Sequence, residues 1–121
     1  MSEEHLSPLE VKALQEALKG PELWKSALRA QVPRLRAIGR EGTGVGGYTR
    51  IALDGEYPVA EIGLDEKGYP PAVDVRHPQM LYGGAFIVWT EEGRIFHLEY
   101  YVNGDENWPE HAEVDSFIFS P

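Results

Sequence analysis

The sequence predicts an α+β fold in which two N-terminal helices pack on one face of a mainly antiparallel sheet of about five or six strands. Apolar residues recur at helical spacing before residue 41, and the period changes to two from Tyr48 onward. Tight-turn sequences separate the candidate strands, which favours antiparallel pairing. A length of 121 residues matches one domain. We therefore expect a single domain over 1–121, with a helical region over 1–40, a Gly-rich connector over 41–47 and a sheet region over 48–121.

The first helix has a well-defined start. Ser7 and Glu10 have the spacing of a capping box, and Pro8 stands at the first helical position, where its missing N–H is not needed. Gly20 favours a helix end, because glycine adopts the left-handed backbone of a C-terminal cap without strain. The sequence therefore predicts a helix between Ser7 and Gly20.

A second helix is predicted to begin at Pro21. Its apolar residues fall within one arc of a helical wheel and its basic residues within a neighbouring arc, and both arcs continue through Pro33. We therefore expect a helix that is kinked at Pro33 and ended by Gly39. The apolar arc holds Trp24, Leu28, Val32, Leu35 and Ile38, and the basic arc holds Lys25, Arg29, Arg36 and Arg40.

The sheet region contains six candidate strands, each with alternating or continuous apolar character and each bounded by turn residues such as Asp54-Gly55 and Asn103-Gly104. These strands are predicted over 48–53, 59–64, 72–76, 85–90, 94–102 and 114–120.

One hairpin can be assigned a register. A three-residue turn with Gly93 in the left-handed position places Thr90 opposite Arg94, so that Val88 faces Phe96. The face that carries these two apolar residues is expected to meet the helices. The other face is unusually apolar for a solvated sheet surface, which makes it our best candidate for a contact or ligand surface, unless another segment such as 68–83 covers it. It holds Ala85, Ile87, Trp89, Ile95, His97, Glu99 and Tyr101.

Acidic residues are concentrated toward the C-terminus of the chain. Residues 1–40 hold seven Lys and Arg against five Asp and Glu, whereas residues 41–121 hold four against fifteen, and the net charge is −9. Such a field repels nucleic acid and anionic membranes and attracts a basic partner. We therefore expect binding to neither nucleic acid nor membrane.

The segment 99–115 combines six carboxylates with two tyrosines and one tryptophan, and it contains no Lys or Arg. Aromatic anchors with a charged rim are typical of a protein-binding patch, and charge of one sign accelerates the encounter with an oppositely charged partner. An acidic surface can also serve solubility alone. Glu106, Trp108 and Glu110 are the binding candidates within this segment.

A metal or proton-transfer site could form from His97 and Glu99, which share a strand face, together with His111. A half-buried His97 hydrogen-bonded to its neighbour is the simpler interpretation, because the sequence does not locate His111. The glycines of 42–47 follow a helix rather than a strand, and 103–107 lacks the glycine and glutamate of a calcium loop. The chain has no cysteine. We therefore predict no metal and no cofactor.

The leading hypothesis is a non-enzymatic acidic protein-binding module, such as an inhibitor or immunity-type protein that docks a basic protein partner. The alternative is a small-ligand-binding domain or small enzyme with a sheet-face pocket around His97 and Glu99. A pocket where these two side chains converge would favour the ligand-binding domain or enzyme. A flat acidic surface with protruding aromatic rings would favour the protein-binding module. The absence of cysteine and of a long apolar run favours a cytoplasmic protein. Self-association into a homo-oligomer is left open.

Overall fold

A computed structural model of the chain describes residues 5–110 and 113–120. The described residues form two α-helices packed on a six-stranded antiparallel sheet, as the sequence predicts. The strands lie in the spatial order β1-β2-β5-β4-β3-β6. The helices are α1 (Pro8–Ala17) and α2 (Leu23–Gln31), and the strands are β1 (Leu35–Gly42), β2 (Gly46–Leu53), β3 (Ala72–His77), β4 (Met80–Glu91), β5 (Arg94–Val102) and β6 (Ile118–Ser120).

Helix α1 begins as its sequence predicts. The Glu10 N–H donates to the Ser7 hydroxyl at 3.1 Å, and the Glu10 carboxylate accepts from the Ser7 N–H at 2.7 Å. This reciprocal pair is a capping box, which satisfies two backbone donors at the helix start. Leu14 and Leu18 are fully buried against the sheet, so the apolar stripe of α1 faces the core.

Helix α2 ends at Gln31, and the prediction of a kinked helix through Pro33 to Gly39 is wrong. A single 3-10 turn over Val32–Arg34 follows, and Leu35–Gly42 is a strand. Proline lacks the N–H that would continue the helical ladder and crowds the preceding turn, so it stops this helix outright. Beyond Pro33, Leu35 and Ala37 are buried while Arg36 is not, which is the period of a strand.

The predicted Gly-rich connector 41–47 contains the turn of the β1–β2 hairpin and the strand ends on either side of it. Thr43 N–H donates to Gly46 O at 2.8 Å, and Gly44 has a φ of +86°, a backbone conformation that glycine adopts without strain. The predicted boundary between helical and sheet regions therefore moves from residue 40 back to Leu35.

Four predicted strands are present as β2, β3, β4 and β5, with β4 starting earlier, at Met80. The predicted strand 59–64 is wrong, because this segment is a loop joined to the β4–β5 turn by a bond from Ala60 N–H to Gly93 O of 3.0 Å. The predicted strand 114–120 is partly correct. It holds a 3-10 turn over Val114–Ser116 and then the short edge strand β6.

The predicted register of the β4–β5 hairpin is wrong. Glu92 and Gly93 both have positive φ, of 52° and 77°, so the turn has two central residues and pairs Glu91 with Arg94. A bulge then leaves Phe96 without a partner, and beyond it Trp89 faces His97 and Val88 faces Leu98. The bulge moves Ile95 into the core, where it is 1% exposed, and leaves Phe96 half-buried.

The core lies on one side of the sheet. Helix α1 packs on β3 and β4, and α2 packs on β5. Phe86, Val88, Ile95 and Leu98 are the most buried residues that the two central strands contribute to this core. None of the helices in the described ranges has the length and apolar character needed to cross a membrane.

Candidate functional site

The face of the sheet opposite the helices, which we call the open face, carries a group of aromatic residues on its three central strands. Strand pairing places Arg50 opposite His97 and Tyr48 opposite Glu99 on β2 and β5, and Trp89 opposite His97 on β4 and β5. Because side chains alternate along a strand, these residues share a face with one another and with Tyr101. The open face comprises Tyr48, Arg50, Ile87, Trp89, Phe96, His97, Glu99 and Tyr101.

The connecting segments pack on the helix side. Gln31 Nε2 donates to Pro58 O at 2.8 Å, which holds the loop 54–71 against α2. The segment 68–83, which could have covered the open face, instead enters the sheet as β3, and Pro71 O accepts from Val88 N–H of β4 at 2.8 Å. Phe117 belongs to the core cluster beneath the helices. Within residues 5–110 and 113–120, none of the open-face side chains belongs to the core cluster and each is half-buried or exposed, so this face is open to solvent.

Trp89 is held in place by Glu99. The indole Nε1–H donates to Glu99 Oε1 at 2.8 Å, between residues that lie diagonally across β4 and β5. The carboxylate therefore fixes the orientation of the indole and is itself occupied. An indole that is already ordered loses little conformational freedom when it packs against a partner.

His97 stacks between two aromatic neighbours. Its ring centroid lies 5.2 Å from that of Tyr48 and 4.3 Å from that of Phe96. The Tyr48 hydroxyl donates to Glu41 at 2.5 Å, and this hydrogen bond raises the pKa of Tyr48. These contacts form a continuous aromatic surface over β2 and β5.

His97 and Glu99 do not converge on a common point. The carboxylate of Glu99 is bound by Trp89, whereas the ring of His97 lies among aromatic rings. Neither residue lines the grooves beside α2 or beneath α1. Among the residues that the structure describes, no three His, Asp or Glu side chains are grouped as metal ligands. His111, the third predicted member, lies outside the described residues.

Tyr101 marks the end of the open face nearest the acidic segment. Its partners on the adjacent strands are Gly46 and Ala85, which have little or no side chain. Strand β5 ends one residue later at Val102. The aromatic surface therefore continues directly into the acidic segment.

The acidic segment lies on the surface at this end of the sheet. Glu106 Oε1 accepts from the Leu81 N–H at 2.7 Å, and this bond fixes the segment to the start of β4. Leu81 and Tyr82 are 75% and 68% exposed at the same end. The carboxylates that we call the acidic end are Asp105, Glu106, Glu110, Glu113 and Asp115.

Trp108, predicted as a binding anchor, packs inward. Its indole lies 4.7 Å from Tyr100, 5.6 Å from Phe86 and 5.5 Å from Phe117, measured between ring centroids. Trp108 therefore joins the acidic end to the core, and the exposed aromatic ring at this end is Tyr82 instead. Sequence reasoning missed Tyr82 because it lay outside the predicted strand.

A buried polar cluster beneath α1 was also not predicted. Glu10 accepts hydrogen bonds from Arg40 at 2.8 and 3.1 Å and from the Thr49 hydroxyl at 2.5 Å. A cavity of about 170 Å³ beside it is lined in part by Tyr100. Burial alone would raise the pKa of Glu10, but its hydrogen bonds to Arg40, Thr49 and Ser7 outweigh burial and lower it. The capping box indicates only the local role of Glu10, because the sequence pattern predicts Arg40 on a helix.

No family model, no curated protein and no solved structure matches this chain. The candidate site therefore rests on the geometry and chemistry of its own residues.

Proposed function

We propose that this protein is a non-enzymatic, acidic protein-binding domain, of the inhibitor or immunity type, that docks a basic protein partner on the open face. The observation that carries the proposal is the uncovered, preordered aromatic surface around Trp89, His97 and Tyr101. This surface lies beside the acidic end, and the chain has no Lys or Arg after Arg94.

The composition of the open face supports a protein partner. Interface hot spots are enriched in Trp, Tyr and Arg, and the open face holds all three types in adjacent strand positions. Trp89 and Tyr48 are already hydrogen-bonded to Glu99 and Glu41, so docking them costs little side-chain entropy. A flat sheet surface suits another protein better than a small molecule, which needs a concave site.

The charge of the molecule supports a basic partner. The net charge is −9, and a field of that sign accelerates the approach of a basic surface. The acidic end would form the charged rim beside the aromatic centre, with Glu106 and Glu110 as its main members. A chain without cysteine is compatible with a reducing compartment, and we place the encounter in the cytoplasm.

The first experiment identifies the partner and the surface together. The immobilised protein captures binding proteins from the source lysate, and the same capture is repeated with Trp89→Ala and Tyr101→Ala. A basic protein should be retained by the wild type and lost with both variants. The matched control is Tyr69→Ala, which removes a tyrosine that is 63% exposed in the loop 54–71 and should retain the partner. An acidic partner, or equal capture by all variants, would contradict the proposal.

The second experiment measures association kinetics with the captured partner. Charge reversal by Glu106→Lys and Glu110→Lys should lower the on-rate by roughly tenfold at low salt and change the off-rate little. Raising the ionic strength should slow association of the wild type, because salt screens charges separated by more than about 8–10 Å. Binding that does not depend on salt would remove the electrostatic basis of the proposal.

A further inference from the structure

A second exposed surface lies beside helix α2, away from the open face. Two adjoining grooves, of about 390 and 460 Å³, share Trp24 and Ile62 in their walls. One groove is mainly apolar and the other is mainly charged, so together they form a single amphipathic surface. We call it the α2 groove, and its walls come from residues within the ranges 22–27 and 59–67.

The apolar half of the α2 groove is strongly exposed. Leu23 is 87% exposed, Ile62 is 52% exposed and Val59 is 48% exposed. Exposed apolar side chains that occur singly are ordinary, but several that line one groove with polar residues at its rim are typical of a docking site. The described residues of the chain leave these three side chains accessible to an occupant.

The groove is held open by fixed contacts. Gln31 Nε2 donates to Pro58 O at 2.8 Å, and Ala60 N–H donates to Gly93 O at 3.0 Å. These two hydrogen bonds fix the backbone on both sides of Val59, which forms part of one wall. Asp65 Oδ1 accepts from the N–H groups of Lys67 and Tyr69, at 2.9 Å each, which closes the turn at the other end. A groove of defined shape requires little reorganisation to receive a ligand.

The charge of the groove selects its occupant. The walls of the two grooves hold four carboxylates and one ammonium group. The carboxylates belong to Glu22, Glu61, Asp65 and Glu66, and the ammonium group belongs to Lys67. Lys25 is adjacent, but its ammonium lies 3.4 Å from the Glu22 carboxylate and over the Trp24 ring, 5.6 Å from the ring centroid. The groove therefore offers aliphatic contacts together with uncompensated carboxylates.

We propose that the α2 groove binds a short basic, leucine-containing segment of a partner protein. Aliphatic side chains of that segment pack on Leu23, Val59 and Ile62, and its lysine or arginine side chains pair with Asp65 and Glu66. A second copy of this chain fits poorly, because it would bring one acidic rim against another. This inference does not depend on the function of the open face.

The test uses the intact protein labelled with ¹⁵N and the synthetic peptide Ac-LLKKLLKK-NH2 as the probe. Amide shifts are expected to change at residues 22–27 and 59–67, and to a smaller extent elsewhere. Two comparison peptides separate the contributions: Ac-SSKKSSKK-NH2 keeps the charge without leucine, and Ac-LLEELLEE-NH2 keeps leucine with the opposite charge. Both should bind at least about fivefold more weakly, the effect of losing roughly 1 kcal/mol of apolar or ionic contact.

Variants assign the site. Ile62→Ser should weaken binding of the lysine peptide by about fivefold or more, since it removes an aliphatic contact. Leu81→Ser is the matched control, because Leu81 is 75% exposed at the opposite end of the sheet, and it should change the affinity by less than about twofold. Both substitutions are at exposed positions, and an unchanged unfolding midpoint confirms that each variant is folded.

Three results would overturn the inference: equal binding of the acidic peptide, full affinity in Ile62→Ser, or shift changes centred on Leu81 and Tyr82. The variant Trp89→Ala separates this site from the open face. Peptide binding that survives Trp89→Ala and is lost in Ile62→Ser belongs to the α2 groove. The opposite pattern would place the peptide on the open face, which would overturn this inference and leave the proposed function standing.

Discussion

Gln31 is the residue through which helix α2 is fastened to the rest of the molecule. Its side chain is fully buried, and its amide N–H groups donate to Pro58 O and to Gly93 O, both at 2.8 Å. Its amide oxygen accepts from the Ile95 N–H at 3.0 Å. A buried amide is tolerated only when its polar atoms are paired, and Gln31 meets this condition by joining α2, the loop 54–71 and the β4–β5 hairpin.

Replacing this amide should therefore be costly. Gln31→Met keeps the length of the side chain but leaves the Ile95 N–H and the Pro58 carbonyl without that partner. We expect a loss of about 2–3 kcal/mol in the free energy of unfolding, measured with urea. Gln15→Met replaces an exposed glutamine of α1 and should change stability by less than about 0.5 kcal/mol. Equal stability of the two variants would contradict a clamping role for Gln31.

Glu10 couples the stability of the fold to pH. Its pKa is lowered in the folded protein, so its ionised form stabilises the fold above the pKa of the unfolded chain. That contribution is lost as the pH falls through the folded-state pKa. Its carboxylate accepts hydrogen bonds from Arg40, Thr49 and the Ser7 N–H. Each of these hydrogen bonds weakens when the carboxylate is protonated, because hydrogen bonds to an ionised group are stronger than those to a neutral one.

Glu10→Gln should lower the free energy of unfolding at pH 7 by about 2–3 kcal/mol, the size of hydrogen bonds to a charged group. The difference from the wild type should shrink as the pH falls through the lowered pKa of Glu10 in the folded protein, because the wild-type carboxylate then becomes protonated as well. Urea unfolding at a series of pH values measures both effects. Glu61→Gln, at an exposed position, should follow the wild-type curve. A constant difference at all pH values would exclude ionised Glu10 as the cause.

At the scale of an element, the β4–β5 hairpin depends on its turn. A turn with two central residues shifts the pairing by one position relative to a turn with three, and the bulge at Phe96 shifts it once more. Two shifts of one position restore the original face, because side chains alternate. For this reason Trp89, His97, Glu99 and Tyr101 share the predicted face although every predicted partner is wrong, and only Ile95 and Phe96 exchange roles.

The exchanged roles can be measured by truncation. Ile95→Ala creates a cavity in the core and should reduce the free energy of unfolding by about 3 kcal/mol. Phe96→Ala removes a half-buried ring from the open face and should cost only about 1–2 kcal/mol. Chemical denaturation of the two variants gives the order directly. A larger loss of unfolding free energy for Phe96→Ala than for Ile95→Ala would instead support the three-residue turn and the register predicted from it.

At the scale of the whole molecule, internal contacts occupy most of the basic side chains of the first 40 residues. Arg36 donates to Asp54, Arg40 binds Glu10, and Arg29 donates to the carbonyl oxygens at the end of α1. The predicted basic stripe does not form, because Arg36 and Arg40 lie on β1 rather than on α2. The excess acid of residues 41–121 is therefore left to set the field around the molecule.

This excess should make the fold more stable when salt is added at neutral pH. Self-repulsion at a net charge of −9 opposes the compact state, and salt screens it. Between 20 and 300 mM NaCl at pH 7 we expect a gain on the order of 0.5 kcal/mol in urea unfolding. The gain should disappear near the isoelectric point of about 4.8. A loss of stability with salt at pH 7 would mean that attractive ion pairs outweigh the repulsion.

Much of the fold was predictable because its signals are local. The capping box at Ser7 and Glu10 starts α1 within four residues, and the period of two locates four strands. Strand β1 was missed because Leu35 and Ile38 also fit the apolar arc of a helical wheel over so short a stretch. The role of Gln31 could not be predicted, because its partners Pro58, Gly93 and Ile95 are distant in sequence.

By itself, the sequence determined the fold class, the start of α1, the excess of acid and the β4–β5 side chains of the open face other than Phe96. These properties follow from composition and from the spacing of residues that are close together in the sequence. Only the tertiary structure decided that this face stays uncovered, that Trp108 packs inward while Tyr82 protrudes, and that Glu10 meets Arg40. Each depends on which side of the sheet the helices and the loop 54–71 pack, and contacts between residues far apart in the chain decide that side.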